Sequence, residues 1–551
     1  MSEPEGSQGE RGATRAGRLV RAPGVLSEER RMSEARTERD VVVVGAGHNG
    51  LVAATMLARA GPSVLVLERA DVIGGACRTE HPFAKAPGLA ASTGAYLLGL
   101  MPPELMATLG LDLPLVRRDP HYFLPTLDGR SLLLGGSRDA ARRQFVEFFS
   151  EADAKADEAL GAELAMLRED LAPAWLAPPL PLAGTADRYV RPELQETFLA
   201  MVHGSAMDYL DRFGFASETV LAMYAVTDGM PGLTGSPWSP GSGHNLMVHN
   251  MCRLPGAGGT WMVVRGGMGT VTGRLAELAV KAGAEIRTGC EVTGIETTGA
   301  AATGVTTADG SMPARVVLVA TDAYRLPGLL GAATPPALRD RVDGYAERSP
   351  GQTMKVNLAL AGLPRFAALP DPGRGQHGTT VHLLPPQVDG SVLAALRLAF
   401  DDAAAGRLPD APPLEWYLHS TLDPSLADDA GNHSSALFVQ GVPHEVAGSS
   451  WAQEQDRYVD RLLDLVEAYA PGTRDLLVDV HALAPPGIED HFGITGGNIM
   501  HVDNSIAFAE RMPYATGVDG VYAGAAGCHP AGSVIGAAGH NAAVRILADL
   551  G

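Results

Sequence analysis

Val41–Val44 is an unbroken run of β-branched apolar residues with no polar alternation. Such a run predicts a parallel strand buried on both faces. The Ala/Leu-rich stretch Leu51–Ala60 predicts a helix, and Val64–Leu67 a second buried strand. Together they form a βαβ unit of about 30 residues. The pattern then changes. Residues 120–260 are rich in helix formers, prolines and aromatics, with helices expected around Arg142–Phe149 and Glu158–Leu171. Glycine and proline cluster from Gly229 to Gly259, which predicts a long irregular loop. After Arg265 the strand–helix alternation resumes: a helix at Thr270–Lys281, strands at Glu285–Arg287, Glu291–Glu296 and Val316–Ala320. A strand is expected at Lys355–Leu360. In a helix at Asp456–Tyr469, Val459, Leu462, Leu463 and Val466 recur at i, i+3, i+4, i+7 on one face. The chain closes with strand, glycine-rich turn and helix. No fixed-period repeat is present.

Length and composition narrow the class. The chain has 551 residues, enough for two or three domain-sized units, and its 46% hydrophobic content is that of a globular protein. Acidic residues outnumber basic ones 63 to 43, a net charge of -20. That balance argues against nucleic acid as a partner and against electrostatic docking on an anionic membrane. No apolar run reaches transmembrane length. Peripheral membrane contact through apolar stretches such as Leu97–Leu111 stays open, with core burial the expected fate. The four cysteines, Cys77, Cys252, Cys290 and Cys528, form no C-x-x-C pair and no metal-ligand spacing. They read as buried thiols of a reducing compartment, which points to a soluble, cytoplasmic protein with no metal. Residues 1–39 hold eight arginines and seven acids without an apolar centre. They are expected to be a disordered tail, with Met32 a candidate initiator.

After the first strand the chain reads G-A-G-H-N-G. Gly45 allows the tight turn, Gly47 lets the backbone approach a pyrophosphate, and Gly50 lets the helix lie close to the sheet. The helix N-terminus then directs its free N–H groups at the phosphates. Glu68, ending the second strand, is placed to accept hydrogen bonds from a ribose. These features predict a bound dinucleotide without separating FAD from NAD.

Further stretches supply a resemblance. They are V-I-G-G-A-C-R-T with Gly74 and Gly75, R-G-G-M-G (Arg265–Gly269), A-G-A-E-I-R-T (Ala282–Thr288), A-T-D-A (Ala320–Ala323), M-K-V-N-L-A-L (Met354–Leu360), G-I-T-G-G-N-I (Gly493–Ile499) and G-C-H-P-A-G-S-V-I-G-A-A-G-H-N-A-A (Gly527–Ala543). In order, they resemble the phytoene desaturase and amine oxidase class of FAD oxidoreductases. Within it they look like the branch of pyridine nucleotide-disulfide oxidoreductase domain-containing protein 2 and bacterial phytoene-dehydrogenase-like proteins. The disulfide in that name has no counterpart here. Two departures stand out: Ala531-Gly532-Ser533 where many relatives have three glycines, and Thr321-Asp322-Ala323 where many have Asn-Ala-Asp.

The resemblance implies FAD and an α/β fold: a Rossmann-type FAD-binding domain interleaved with a mixed α+β substrate domain. The expected division is FAD-binding segments at 40–118, 261–345 and 481–551, with substrate-domain parts at 119–260 and 346–480. It implies that the flavin ring lies near Gly524 and Gly532, on a helix beginning near Ser533 whose N–H groups at Val534 and Ile535 face the ring. It implies that Val292 holds the adenine through backbone atoms. By analogy with amine oxidases, Lys355 is the first catalytic candidate. His529 is the second, with His501 behind it. For a eukaryotic source the resemblance implies a mitochondrial matrix location.

The expected reaction is dehydrogenation or desaturation of a small, apolar, isoprenoid- or polyene-like substrate, with hydride transfer to flavin N5. An amine or amino-acid oxidase on the same scaffold is the alternative. A flavin-binding regulatory protein of low turnover is the third reading. The low aromatic content, 5%, disfavours the aromatic cage that an amine oxidase would need. Oligomeric state is not legible.

Overall fold

The computed structural model describes residues 38–230 and 232–551. The tail expected at 1–39 falls almost wholly outside the described residues. Its last residue belongs to the fold instead: the first strand is Arg39–Val44, and Arg39 pairs with Glu285 at 2.7 Å.

Two seven-stranded sheets organise the molecule. In the first, Glu285–Arg287, Val64–Leu67, Arg39–Val44 and Gly310–Val319 lie side by side in parallel, and Val521–Ala523 adds parallel to Gly310–Val319. Val41–Val44 and Val64–Leu67 are buried throughout, as their continuous β-branched pattern requires. Gly310–Val319 also continues into an antiparallel group with Ala301–Thr307 and Val292–Thr298. The strand Ala301–Thr307 is not legible in the sequence, because its small and hydroxyl residues carry no apolar alternation. Helices Gly269–Lys281 and Ala537–Leu550 both pack against His48–Arg59, the helix that follows the glycine motif.

The second sheet runs Leu477–Leu483, Thr353–Leu360, His433–Gln440, Leu414–Tyr417, Thr380–Leu383, Tyr122–Pro125, Ser131–Leu134. Leu477–Leu483 runs past the boundary expected at 480. The strand Thr353–Leu360 is buried along its whole length. Met354, Val356, Leu358 and Leu360 join an apolar cluster with Leu462, Leu463 and Val466 of helix Trp451–Tyr469. Alternation sends Thr353 and Lys355 to the opposite face.

The passages between the two sheets are themselves paired: Leu115–Val116 and Val263–Val264 form a short antiparallel ribbon. The loop expected over Gly229–Gly259 is corrected by the helix Ser242–His249. Here glycine serves close packing, since a Cβ on Gly243 would stand 2.2 Å from the Met201 carbonyl oxygen. Leu98, Met101, Leu105, Leu109 and Leu111 lie in the core cluster of the parallel sheet, so core burial is their fate. All four cysteines are free thiols. No helix among the described residues is long and apolar enough to cross a membrane.

Candidate flavin and substrate cavity

One cavity of about 870 Å³ runs from the glycine motif to the strand Thr353–Leu360. At its first end lie Gly45, Gly47, Glu68, Gly74, Gly75 and Val292. Gly45 has φ +108 and donates its N–H to the Leu67 carbonyl at 2.8 Å, which turns the chain sharply out of the first strand. A Cβ on Gly47 would meet nothing within 4 Å and would project into open space. A Cβ on Gly50 would stand 2.1 Å from the Gly45 carbonyl oxygen, so Gly50 serves packing and does not line the cavity. The Glu68 carboxylate accepts from the Ala46 N–H at 2.9 Å and the Ala70 N–H at 3.0 Å, tying the glycine turn to the end of the second strand. The helix His48–Arg59 carries no side-chain cap and no acid in its first turn, leaving its N–H groups and dipole turned toward the cavity.

The C-terminal stretch contributes less than expected. Ser533 and Val534 line the cavity, with Ala525 and Ala526. Ser533 holds φ +145, a conformation unusual for a residue with a side chain. The helix, however, begins at Ala537 after Gly536 and not near Ser533. The Ile535 N–H is spent on the Ser533 carbonyl at 3.1 Å and its side chain enters an apolar cluster, so it offers the cavity no donor. Gly524 and Gly532 are also displaced from the cavity wall. A Cβ on Gly524 would meet the Ala542 Cβ at 2.8 Å, and one on Gly532 the Met500 carbonyl oxygen at 2.3 Å. Both glycines serve backbone packing.

His529 is likewise corrected. It is buried away from the cavity, and its Nε2 pairs with the Ala174 carbonyl oxygen at 2.9 Å. Two other histidines reach the cavity that His529 does not. His48, inside the glycine motif, and His501 both line the cavity. Neither His48 Nε2, His501 Nδ1 nor the Thr321 hydroxyl has a hydrogen-bond partner in the structure. Burial, reinforced by the neighbouring His501, pushes His48 down to about 4. Asp322 keeps its carboxylate for Tyr324 N–H at 2.9 Å and for the N–H and hydroxyl of Thr495 at 3.0 and 2.8 Å.

Lys355 reaches the cavity from the second sheet. It is 4% exposed, and its Nζ donates to the Gly94 carbonyl at 3.0 Å. The same atom stands 3.8 Å from the centre of the Tyr96 ring. That ring attracts a cation, but no carboxylate pairs with Lys355 among the described residues. Burial is the stronger effect and drives Lys355 well below its ordinary value, toward the neutral amine.

Around it lies a chamber that the hydrophobic pattern of the sequence does not reveal. Tyr96 packs on Tyr417 with ring centres 4.6 Å apart and on Phe438 at 5.7 Å. Trp261 stacks on His249 at 4.8 Å, and His249 Nδ1 pairs with Asp228 at 2.7 Å. Glu415 is buried, takes a hydrogen bond from the Tyr417 hydroxyl, and is lifted to about 7 by burial. Arg118 is buried beside them. These residues come from distant parts of the chain. One local signal existed: in L-E-W-Y (Leu414–Tyr417) Glu415 and Tyr417 share a strand face, so a charge sits inside an otherwise apolar buried strand.

The donor set fits a dinucleotide: a glycine whose absent side chain leaves the space, an uncapped helix N-terminus, and buried polar atoms that lack partners. Comparison with known proteins agrees. The family model for flavin-containing amine oxidoreductases matches residues 50–360, and that for FAD-dependent oxidoreductases matches residues 267–472. The mouse pyridine nucleotide-disulfide oxidoreductase domain-containing protein 2 is 36% identical over 94% of this chain and 94% of its own. The hydroxyneurosporene desaturase of Cereibacter sphaeroides is 28% identical over 93% of this chain and 98% of its own. A solved oxidoreductase from Methanosarcina mazei shares the fold with a TM-score of 0.60 at 15% identity, covering 92% of this chain and 100% of that one. The chain belongs to the flavin-containing amine oxidoreductase family and is an FAD-dependent oxidoreductase.

Proposed function

We propose that this enzyme removes two hydrogens from a small, largely apolar substrate of isoprenoid or polyene type, bound in the chamber of Tyr96, Tyr417 and Phe438. Bound FAD supplies the two-electron acceptor. In this reading Gly45, Gly47, Gly74 and Gly75 receive the pyrophosphate, Glu68 the ribose and Val292 the adenine side. Ser533, Val534, His48 and His501 stand toward the flavin. Leu97, Met223, Ile499 and Met500 add apolar wall around the substrate.

The observation that carries the proposal is Lys355, a buried amine with no counter-ion among the described residues, on the wall of the cavity that also holds the dinucleotide motif. A neutral amine there holds a water or accepts a proton, and the packed rings of Tyr96, Tyr417 and Phe438 make the wall beside it apolar. Similarity to hydroxyneurosporene desaturase supports the substrate class.

Oxidation of an amine is the second reading, favoured by Glu415 and the paired rings of Tyr96 and Tyr417. Anaerobic mixing of the yellow protein with matched polyene, cyclic terpene and amine panels separates the two. Bleaching by the hydrocarbons supports desaturation; bleaching by amines, with hydrogen peroxide release in air, replaces it by amine oxidation. A folded preparation that stays colourless after incubation with excess FAD sinks both.

A further inference from the structure

We propose that the substrate carries a carboxylate and that Arg118 receives it. The inference rests on the reading of a substrate chamber around Tyr96, Tyr417 and Phe438 and deepens it: the molecule bound there is amphipathic, an apolar body with one acidic end.

Arg118 follows the ribbon strand Leu115–Val116, is 5% exposed and lines the cavity. Its Nε donates to the Trp261 carbonyl at 2.9 Å and its Nη1 to the Thr380 hydroxyl at 2.7 Å. Both acceptors are neutral. No ion pair engages Arg118 among the described residues, and no hydrogen bond takes up its Nη2. Arg511, the other deeply buried arginine of this region, shows the contrast. All three of its nitrogens are spent, on the carbonyls of Cys528, Asp503, Ile506, Val502 and Ala526 and on the Asn504 side chain. Arg511 is a structural tie that does not line this cavity, whereas Arg118 lines it and keeps donors for something else.

A buried guanidinium without an anion is costly, and a ligand anion would offset that cost. The nearby acids do not serve. Asp228 is committed to His249 at 2.7 Å. Glu415 takes the Tyr417 hydroxyl, is lifted to about 7 by burial, and makes no ion pair or hydrogen bond with Arg118 among the described residues. The remaining wall is rich in neutral donors: the hydroxyls of Tyr96, Thr227 and Thr380, and the Trp261 indole N–H, which has no partner. A planar carboxylate matches the guanidinium fork. A diphosphate brings more charge than one guanidinium answers, and an ammonium group would meet the arginine's own charge.

The test uses the FAD-loaded protein and three probes of equal chain length: decanoate, decanol and decylamine. Binding is read from the flavin difference spectrum and from the melting temperature. Decanoate is expected to bind at least tenfold more tightly than decanol, with decylamine weakest. Arg118→Met should weaken decanoate at least tenfold and leave decanol unchanged, with Arg118→Lys in between. Equal binding of decanoate and decanol to the unaltered protein overturns the proposal, as does tight decanoate binding by Arg118→Met or preference for decylamine. The comparison among probes on the unaltered protein decides the matter even if the variants do not fold. Flavin content of the same samples keeps the two readings apart: a colourless protein refutes the cofactor assignment, and a yellow one indifferent to carboxylates refutes the anion site alone.

Discussion

Gly47 and Gly50 are three residues apart and serve different ends. A side chain on Gly47 enters the cavity and touches no protein atom, while one on Gly50 collides with the backbone of Gly45. Gly47→Val should therefore fold with an unchanged apo melting temperature and retain no flavin, as read from the absorption spectrum of the purified variant. Gly50→Val should instead lose stability, by about 1–3 kcal/mol or more for an overpacked contact that backbone cannot relieve. If Gly47→Val keeps its full yellow colour, the pyrophosphate assignment is wrong. Lys355 makes a second case. Its folded value lies well below its unfolded one, so the unfolded chain holds the extra proton and stability falls as pH drops below about 10.5. Lys355→Met should bind flavin normally, slow its reduction or reoxidation, and gain stability over the parent, the more so at lower pH. Unchanged rates of both half-reactions would remove Lys355 from the chemistry.

At the scale of elements, the two ends of the chain meet at a helix crossing. Ala537–Leu550 lies on His48–Arg59, and the Gly539 N–H reaches the Asn49 side chain at 3.3 Å. A Cβ on Gly539 would stand 2.0 Å from the Asn49 carbonyl oxygen. Gly539→Ala should push the helices apart, lower the melting temperature and weaken flavin retention together. Gly161 is the control: it sits within helix Glu151–Leu171 and a Cβ there meets nothing within 4 Å. Gly161→Ala should stabilise by roughly 0.5–1 kcal/mol through helix propensity and leave flavin affinity untouched. Equal effects of the two substitutions on flavin retention would deny the crossing its part in closing the site.

For the whole molecule, buried histidines set the response to acid. Burial lowers His48, His244 and His529 to about 4, and His382 and His419 to about 3. Between those values and 6.5 the unfolded chain binds protons that the folded one refuses. Stability is thus complete above 6.5 and falls as pH drops toward 4, by about 3 kcal/mol per histidine. Glu415 runs the other way, since its raised value makes the folded state hold a proton from about 4.5 to about 7, but it stands against five histidines. The melting temperature should fall steeply from pH 6.5 to pH 4. A flat profile across that range would mean that these histidines are not buried as described.

The sequence by itself determined the local elements around the glycine turn. The runs Val41–Val44 and Val64–Leu67, the glycines of the first turn and Glu68 are contiguous, and their chemistry is that of a backbone path, which nearest neighbours dictate. It also determined, through the series of stretches that resemble FAD oxidoreductases, the cofactor. Only the tertiary structure decided which side chains face the cavity. His529, Gly532 and Ile535 lie in the resembling stretch, and Gly524 just before it, yet they turn to packing or to backbone partners. Tyr96, Arg118, Glu415 and Tyr417, scattered over some three hundred residues, come to one wall. The reason is physical. A strand's alternation says that a residue points up or down, but which of those directions is cavity and which is core depends on what the other sheet and the helices place above it.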